Sequence, residues 1–330
     1  MNYPYKNLVF SGGGILGIAY IGMLDYLFRI SLMPEIQRVA GSSAGAIAAC
    51  ITAFNLPFQE TKNIVNSLDY SKVPSTSDPH EPKNFSKYEE TQLDKVFGNI
   101  ECVYRLVKKF GWYSSSYFYQ WIRHQIANQF DATKKIPPYT FADFMDPTLH
   151  KDGRSFKELY IIGTDISNKS STVFSAADTP YMEVAEAVRI SMSVPVFFEA
   201  IKSIQTTDKN LKVSPRVFSD GGIMYNYPIT IFDVDCPSHE TLGALFKSNV
   251  PPAQVNHLVD FIVNLISCTA SIQTQLTYNT PVNMKRSIQI YTGSVSSLDF
   301  NVKTGDEIYT FLYEQGYKAA ETYFSALFSS

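Results

Sequence analysis

The chain has 330 residues, of which 45% are hydrophobic and 18% charged, and its formal net charge is −3 at pH 7. This is the balance of a globular protein, and the length is sufficient for one large domain. Basic and acidic residues are scattered, without the basic run that a nucleic-acid-binding protein needs, so we expect no nucleic-acid partner.

The cysteines and the termini bear on the compartment. Four cysteines lie far apart and form no Cys/His cluster at metal-ligand spacing, so we expect thiols in a reducing compartment and no bound metal. The N-terminus lacks the order of a secretory signal, and no apolar stretch reaches the roughly 20 residues needed to span a bilayer. We therefore expect a cytoplasmic protein whose membrane contact is peripheral, with leaderless secretion left open.

The N-terminal part of the chain alternates strands and helices. Asn7 to Phe10 is an apolar run typical of a buried strand, and a glycine loop follows it. Ile15 to Ile30 carries apolar residues at helical spacing, which predicts a helix. Next come a strand over Gln37 to Ala40, a tight turn over Gly41 to Gly45 and a helix of small residues over Ala44 to Phe54. This order favours an α/β fold with a parallel sheet.

The same alternation continues more sparsely downstream. Residues 70–100 are polar and contain Pro74, Pro79 and Pro82, which predicts a long surface excursion. An apolar strand ends directly before Asp220, and no linker-like change of composition separates two halves, so we expect a single domain over residues 1–330. Further helices are predicted over Ser115–Phe130, Met182–Met192, Val255–Leu276 and Glu307–Leu327, and further strands over Glu158–Thr164 and Ile288–Thr292.

A sharp turn with a central serine joins the second strand to its helix. Gly41-Ser42-Ser43-Ala44-Gly45 has the form G-x-S-x-G in the strand–turn–helix context that this motif requires. A nucleophile on such a turn has strained backbone angles, and glycines on both sides avoid a clash. We predict that Ser43 is a nucleophile and that Gly41 and Gly45 form its elbow. A tightly packed helix start without a catalytic role is the alternative interpretation.

The glycine loop after the first strand has two interpretations. Gly12-x-Gly14-x-x-Gly17 fits the dinucleotide-binding fingerprint, but the acidic residue required at the end of the second strand is absent. Glycines also let backbone amides converge on a substrate oxygen, and neighbouring parallel strands would place this loop beside Ser43. We therefore predict that Gly12, Gly13 and Gly14 line an oxyanion hole, a device that typically stabilises a transition state by about 3 kcal/mol.

A serine nucleophile needs a base, and an aspartate is the best candidate. None of the five histidines lies in a motif-like setting, whereas Asp220-Gly221-Gly222 follows an apolar strand. A carboxylate is a weak base, so contact with the hydroxyl and partial desolvation are expected to raise its basicity. The chain order Ser43, Asp220, His239 also matches an α/β-hydrolase triad, and an esterase of that fold stays open.

Taken together, three motifs resemble the patatin-like phospholipase family. They are the glycine loop from Ser11 to Gly17, the serine turn from Gly41 to Gly45 and Asp220-Gly221-Gly222, and the segment from Ala187 to Pro195 is similar too. The likeness covers roughly residues 6–230 and leaves the role of residues 231–330 open. It implies a single catalytic domain with a three-layer patatin-like fold, in which helices flank a mainly parallel central sheet.

The resemblance also implies an activity. We expect a lipid acyl hydrolase of the phospholipase A or lysophospholipase type, with a Ser43–Asp220 dyad, an acyl-serine intermediate and neither metal nor organic cofactor. The substrate would be a phospholipid or another lipid ester, and a protein activator stays open. Leu16 stands where the family commonly has Arg or Lys, which keeps a non-catalytic lipid- or protein-binding relative open.

Aromatic and apolar stretches bear on membrane contact. The rings between Phe110 and Trp121 could face lipid, but we favour the start of an amphipathic helix with rings turned to the core. The apolar segments Phe261 to Ile266 and Tyr323 to Phe328 are likewise interpreted as core rather than as membrane anchors.

Overall fold

The computed structural model describes residues 3–76, 99–203, 215–249, 255 and 258–327. Most of the predicted excursion over residues 70–100, with Pro79 and Pro82, lies outside them. Among the described residues the strands are β1 (Asn7–Phe10), β2 (Arg38–Ser42), β3 (Gly111–Tyr113), β4 (Glu158–Asp165), β5 (Ser170–Phe174), β6 (Val196–Phe198), β7 (Ile201–Ser203), β8 (Arg216–Asp220), β9 (Thr241–Lys247) and β10 (Ser287–Tyr291). The α-helices are α1 (Ala19–Arg29), α2 (Ala44–Ala53), α3 (Phe58–Asn66), α4 (Ile100–Lys109), α5 (Ser116–Ala127), α6 (Phe141–Phe144), α7 (Val184–Ser191), α8 (Leu258–Tyr278), α9 (Pro281–Lys285) and α10 (Glu307–Leu327).

A mixed, mostly parallel sheet forms the centre of the molecule, which confirms the predicted fold class. Strands β10, β9, β1, β2 and β4 lie side by side and run parallel, whereas β8, β7 and β5 are antiparallel to their neighbours. Consecutive strands β1 and β2 pair directly, with Phe10 opposite Gly41. The glycine loop after β1 and the serine turn after β2 therefore leave the sheet at the same edge.

The register of two further strands brings Asp220 to this edge. Ser42 on β2 lies opposite Ile162 on β4, and the next β4 residue, Gly163, lies opposite Asp220 on antiparallel β8. Because β8 runs against β4, its C-terminal residue returns to the level at which β2 ends. The aspartate thus ends its strand next to the serine turn.

The segment after residue 230 completes the sheet. Strand β9, which the hydrophobic pattern did not predict, lies between β1 and β10. Helix α10 packs along α1 at very close range. If Gly22 had a Cβ atom, it would lie 1.8 Å from the carbonyl oxygen of Tyr313, and a Cβ atom on Gly316 would lie 1.8 Å from the carbonyl oxygen of Ala19. Only glycine permits such an approach of two helix backbones. The C-terminal segment is therefore part of the body that carries the predicted motifs.

Two expectations about local structure were wrong. The helix predicted over Ser115–Phe130 is confirmed as α5, but residues 111–113 form strand β3 paired with β6, so the aromatic run after Phe110 does not begin as a helix. On α8, Phe261 and Leu265 are each more than half exposed, so this segment is not core. Between Phe110 and Trp121 the rings do turn inward at Phe118 and Trp121, which are buried, while Phe110 is exposed. Within the described residues, every helix is too short or too polar to cross a bilayer.

Candidate active site

Ser43 occupies a strained turn between β2 and α2. Its backbone has φ 53° and ψ −122°, in the region that non-glycine residues rarely adopt, and its side chain is almost fully buried. A Cβ on Gly41 would lie 2.0 Å from the carbonyl oxygen of Gly45, and one on Gly45 would lie 2.3 Å from that of Phe10. The two glycines thus allow the turn to fold back on itself and against β1.

A residue that the sequence motifs did not single out holds the backbone of this turn. The amide of Ser43 donates a hydrogen bond of 2.9 Å to the side-chain oxygen of Ser191, which in turn donates to the carbonyl oxygen of Ile162. Ser191 ends α7 and is fully buried. Two signals in the sequence point to it: its place in the family-like segment from Ala187 to Pro195, and a hydroxyl on the buried face of an apolar helix, where polar side chains need a partner.

Asp220 is buried beside Ser43. Its Oδ1 accepts a hydrogen bond of 2.6 Å from the Gly222 amide. Burial raises the pKa of this carboxyl to about 7, although the Ser43 hydroxyl and the Gly222 amide act to lower it. The hydroxyl is thus close enough to affect the carboxyl, yet among the described residues Oδ2 has no partner with full hydrogen-bond geometry. Such a carboxyl can exchange a proton with a neighbouring hydroxyl near neutral pH.

The glycine loop lies against the serine. A Cβ on Gly12 would lie 3.1 Å from the Cβ of Ser43. The amide of Gly12 donates to the carbonyl oxygen of Asn226 at 3.0 Å, so it ties the loop to the segment that follows Asp220. Within the described part of the chain, the amides of Gly13 and Gly14 have no acceptor. That Gly12, Gly13 and Gly14 line an oxyanion hole stays a prediction, in which the Gly12 amide is already bonded to Asn226.

Two cavities meet at Ser43. One is almost entirely apolar and encloses about 950 Å³, a volume that includes the open space at its mouth. The other has a mixed lining of polar and apolar groups and lies between the glycine loop, Asp220 and α8; we call it the polar cavity. The walls of the apolar cavity include Ile18, Leu24, Ile47, Ala48, Val65 and Phe118. The walls of the polar cavity include Asn226, Lys247, Ser267, Ser271, Thr274 and Asn279.

The predicted alternative triad with His239 was wrong. His239 is exposed in a short turn directly before β9, and the neighbouring Glu240 carbonyl accepts a hydrogen bond of 2.8 Å from the Lys6 amide at the start of β1. Ser43 follows the end of β2. Because β9, β1 and β2 are parallel, the histidine and the serine lie at opposite ends of the sheet.

Comparison with known proteins extends these observations. The family model described as patatin-like phospholipase matches residues 8–233. An uncharacterized protein of Acanthamoeba polyphaga mimivirus is 27% identical over 96% of this chain and 92% of its own. A probable lipid hydrolase of Invertebrate iridescent virus 6 is 22% identical over 69% of this chain and 63% of its own.

A solved structure shares the fold. The crystal structure of VipD from Legionella pneumophila has a TM-score of 0.60 and 19% sequence identity to this chain. The match covers 98% of this chain and 67% of that one. At this identity the likeness concerns the fold.

Proposed function

Because this chain belongs to the patatin-like phospholipase family, we propose that it is a lipid acyl hydrolase in which Ser43 is the nucleophile and Asp220 its general base. One observation carries the proposal. A strained, buried serine lies where an apolar cavity meets a polar one, beside a carboxyl whose pKa burial raises to about 7. No such combination is needed for packing alone, and its backbone strain is typical of functional sites.

The geometry supports a two-step reaction. In the first step the Ser43 oxygen forms a bond to the ester carbonyl carbon while its proton passes to Asp220. The amides of Gly13 and Gly14 donate to the resulting oxyanion, and its collapse breaks the ester bond as the leaving alcohol takes the proton from Asp220. In the second step water attacks the acyl-serine with Asp220 again accepting the proton, and the carboxylic acid leaves as the proton returns to Ser43.

The two cavities support an amphiphilic substrate. An acyl chain would bury its methylene groups in the apolar cavity, each contributing about 0.8 kcal/mol. The polar cavity offers hydroxyl and amide groups for the glycerol and head group. Because Ser43 lies between the two cavities, the ester bond would lie at the boundary between the acyl chain and the polar part of the lipid.

We further propose that the protein is peripheral to membranes in the cytoplasm and docks through α8. The exposed apolar residues of this helix follow each other at helical spacing and so form one stripe, made of Phe261, Leu265, Ile272 and Leu276. The opposite side of the helix lines the polar cavity through Ile266, Ala270 and Thr274. No charged residue occurs from Phe261 to Met284, which suits contact with hydrocarbon.

A covalent probe tests the proposed chemistry. An alkyl fluorophosphonate should label the wild-type protein, and mass spectrometry should locate the adduct on Ser43. Ser43→Ala and Asp220→Asn should each lower the hydrolysis of a fluorogenic lipid ester by about a thousandfold or more. The matched control is Ser42→Ala, which removes the adjacent buried hydroxyl that has no hydrogen-bond partner among the described residues. Full activity of Ser43→Ala or of Asp220→Asn would refute the proposal. Lipid binding by the wild-type protein without an acyl-serine would also refute it.

A further inference from the structure

A lysine lines the polar cavity beside Ser43. Among the described residues that line it, only Lys247 is cationic and only Asp220 is acidic, while the glycine loop contributes the uncharged side chain of Leu16. We propose that Lys247 binds the phosphate of a phosphodiester head group and thereby makes this protein selective for phosphate-bearing lipid esters over uncharged ones. The inference rests on the proposed function of the same site and assigns a specificity-determining residue to it.

The sheet positions this lysine. Lys247 ends β9, which is held between β1 and β10, and it lies opposite Tyr291. Side chains alternate along a strand, so Lys247 faces the same way as Leu245, which packs in the small cluster around Tyr227. Phe246 faces the other way, with its ring 4.7 Å from that of Tyr20. Leu245, Phe246 and Lys247 all line the polar cavity, so the cavity lies at the end of β9, where the strand carries its terminal cation.

The charge of Lys247 is available for a ligand. Within the described residues its ammonium group has no carboxylate partner, whereas Lys6 pairs with Glu35 and Lys135 with Asp143. The residue is exposed at the cavity, so binding a phosphate there requires no ion pair to be broken.

Neutral groups around the lysine fit the remainder of a head group. Ser271, Asn279 and Gln289 line the same cavity with hydroxyl and amide groups that both donate and accept hydrogen bonds. With a lysine as a point charge for the phosphate, this set suits a phosphodiester that carries a further polar substituent. An uncharged diacylglycerol would make the neutral contacts and lose only the charged one.

Two short-chain substrates of matched acyl groups isolate this contact. Dihexanoylphosphoglycerol and dihexanoylglycerol are used below the concentrations at which they aggregate, so attraction to a charged membrane plays no part. Lys247→Met should lower kcat/KM for the phosphoglycerol ester by about tenfold, because KM rises while kcat is retained. The same variant should hydrolyse dihexanoylglycerol at the wild-type rate. Lys247→Arg should retain most of the activity because the charge remains. Lys285→Met, an exposed lysine on α9 outside the cavity, is the matched control.

The outcomes separate this inference from the proposed function. Equal losses on the two esters, no loss on the phosphoglycerol ester, or wild-type preference for dihexanoylglycerol would overturn the role of Lys247 while leaving acyl hydrolysis intact. Calorimetric binding of dihexanoylphosphoglycerol to Ser43→Ala protein gives a readout without turnover. Adding Lys247→Met to that variant should weaken binding by a similar factor, and unchanged affinity would reject the inference. Loss of hydrolysis of both esters in Ser43→Ala alone tests the proposed function.

Discussion

The backbone amide of Ser43 donates a 2.9 Å hydrogen bond to the side-chain oxygen of Ser191. This bond fixes a backbone conformation that a serine rarely adopts, and the acceptor is in turn held by the carbonyl oxygen of Ile162 on the neighbouring strand. The orientation of the proposed nucleophile thus depends on a residue that would not touch substrate.

We expect Ser191→Ala to affect both stability and turnover. The buried Ser43 amide would lose its acceptor, which should lower the free energy of unfolding by about 1–3 kcal/mol. The serine turn would relax, so kcat should fall by about tenfold or more while KM changes little. Urea unfolding and steady-state kinetics measure the two effects. The control is Ser193→Ala, whose hydroxyl donates only to the Arg189 carbonyl one turn earlier, and equal effects of the two variants would contradict the assignment.

The pKa of Asp220 predicts the pH dependence of activity. A general base must be ionised, and burial raises the pKa of this carboxyl to about 7. The value of kcat/KM should therefore be low in acid and rise to a plateau above pH 7, with an inflection near 7. A pH–rate profile with a soluble ester measures this. An inflection near pH 4, the ordinary range for aspartate, would argue against a buried base.

The same shift predicts how stability varies with pH. Because the pKa of Asp220 in the folded protein lies above the ordinary value of 3.8, the folded state binds this proton more tightly than the unfolded chain. The resulting stabilisation is complete below pH 3.8 and is lost as the pH rises through about 7. Relative to wild type, Asp220→Asn should gain stability progressively between these pH values and level off above them. Thermal unfolding across this range measures the difference, and a constant difference would refute the prediction.

The apolar cavity predicts acyl-chain preference. Ala48 lines it, and Ala48→Phe would fill part of the space proposed for the acyl chain. We expect hydrolysis of a palmitoyl ester to fall by about tenfold and that of a butyryl ester to change little, since only the long chain needs the depth of the cavity. Kinetics with the two esters test this, and Ala326→Phe on the exposed side of α10 is the control. An equal decrease for both esters would indicate general damage instead.

The exposed stripe of α8 predicts membrane binding. Leu265→Asp combined with Ile272→Asp should lower binding to phosphatidylcholine vesicles by about tenfold or more, because each buried aliphatic side chain contributes about 1.5–3 kcal/mol. Hydrolysis of short-chain esters in solution should be unchanged. Vesicle co-sedimentation measures the first effect, with Val107→Asp on α4, another exposed apolar position, as control. A dimer in light scattering that these changes dissociate would identify the stripe as a contact between copies of the chain.

Local pattern determined much of the fold. Strand β1 and helix α10 have the bounds expected from the sequence, and the strand–turn–helix around Ser43 was predicted within two residues at each boundary. These elements depend on hydrophobic periodicity and on glycines at sharp turns, which are properties of neighbouring residues. The family resemblance and the α/β fold class followed from the same short motifs.

Tertiary structure alone decided what surrounds the serine. Ser191 reaches the Ser43 amide across 148 positions, and Lys247 comes to the cavity on a strand that no local pattern indicated. The position of His239 at the far end of the sheet, and the exposure of Phe261 and Leu265, likewise depend on which elements pack together. The pairing and register of distant strands result from competition among many long-range contacts, and a local sequence window does not contain the partners that decide it.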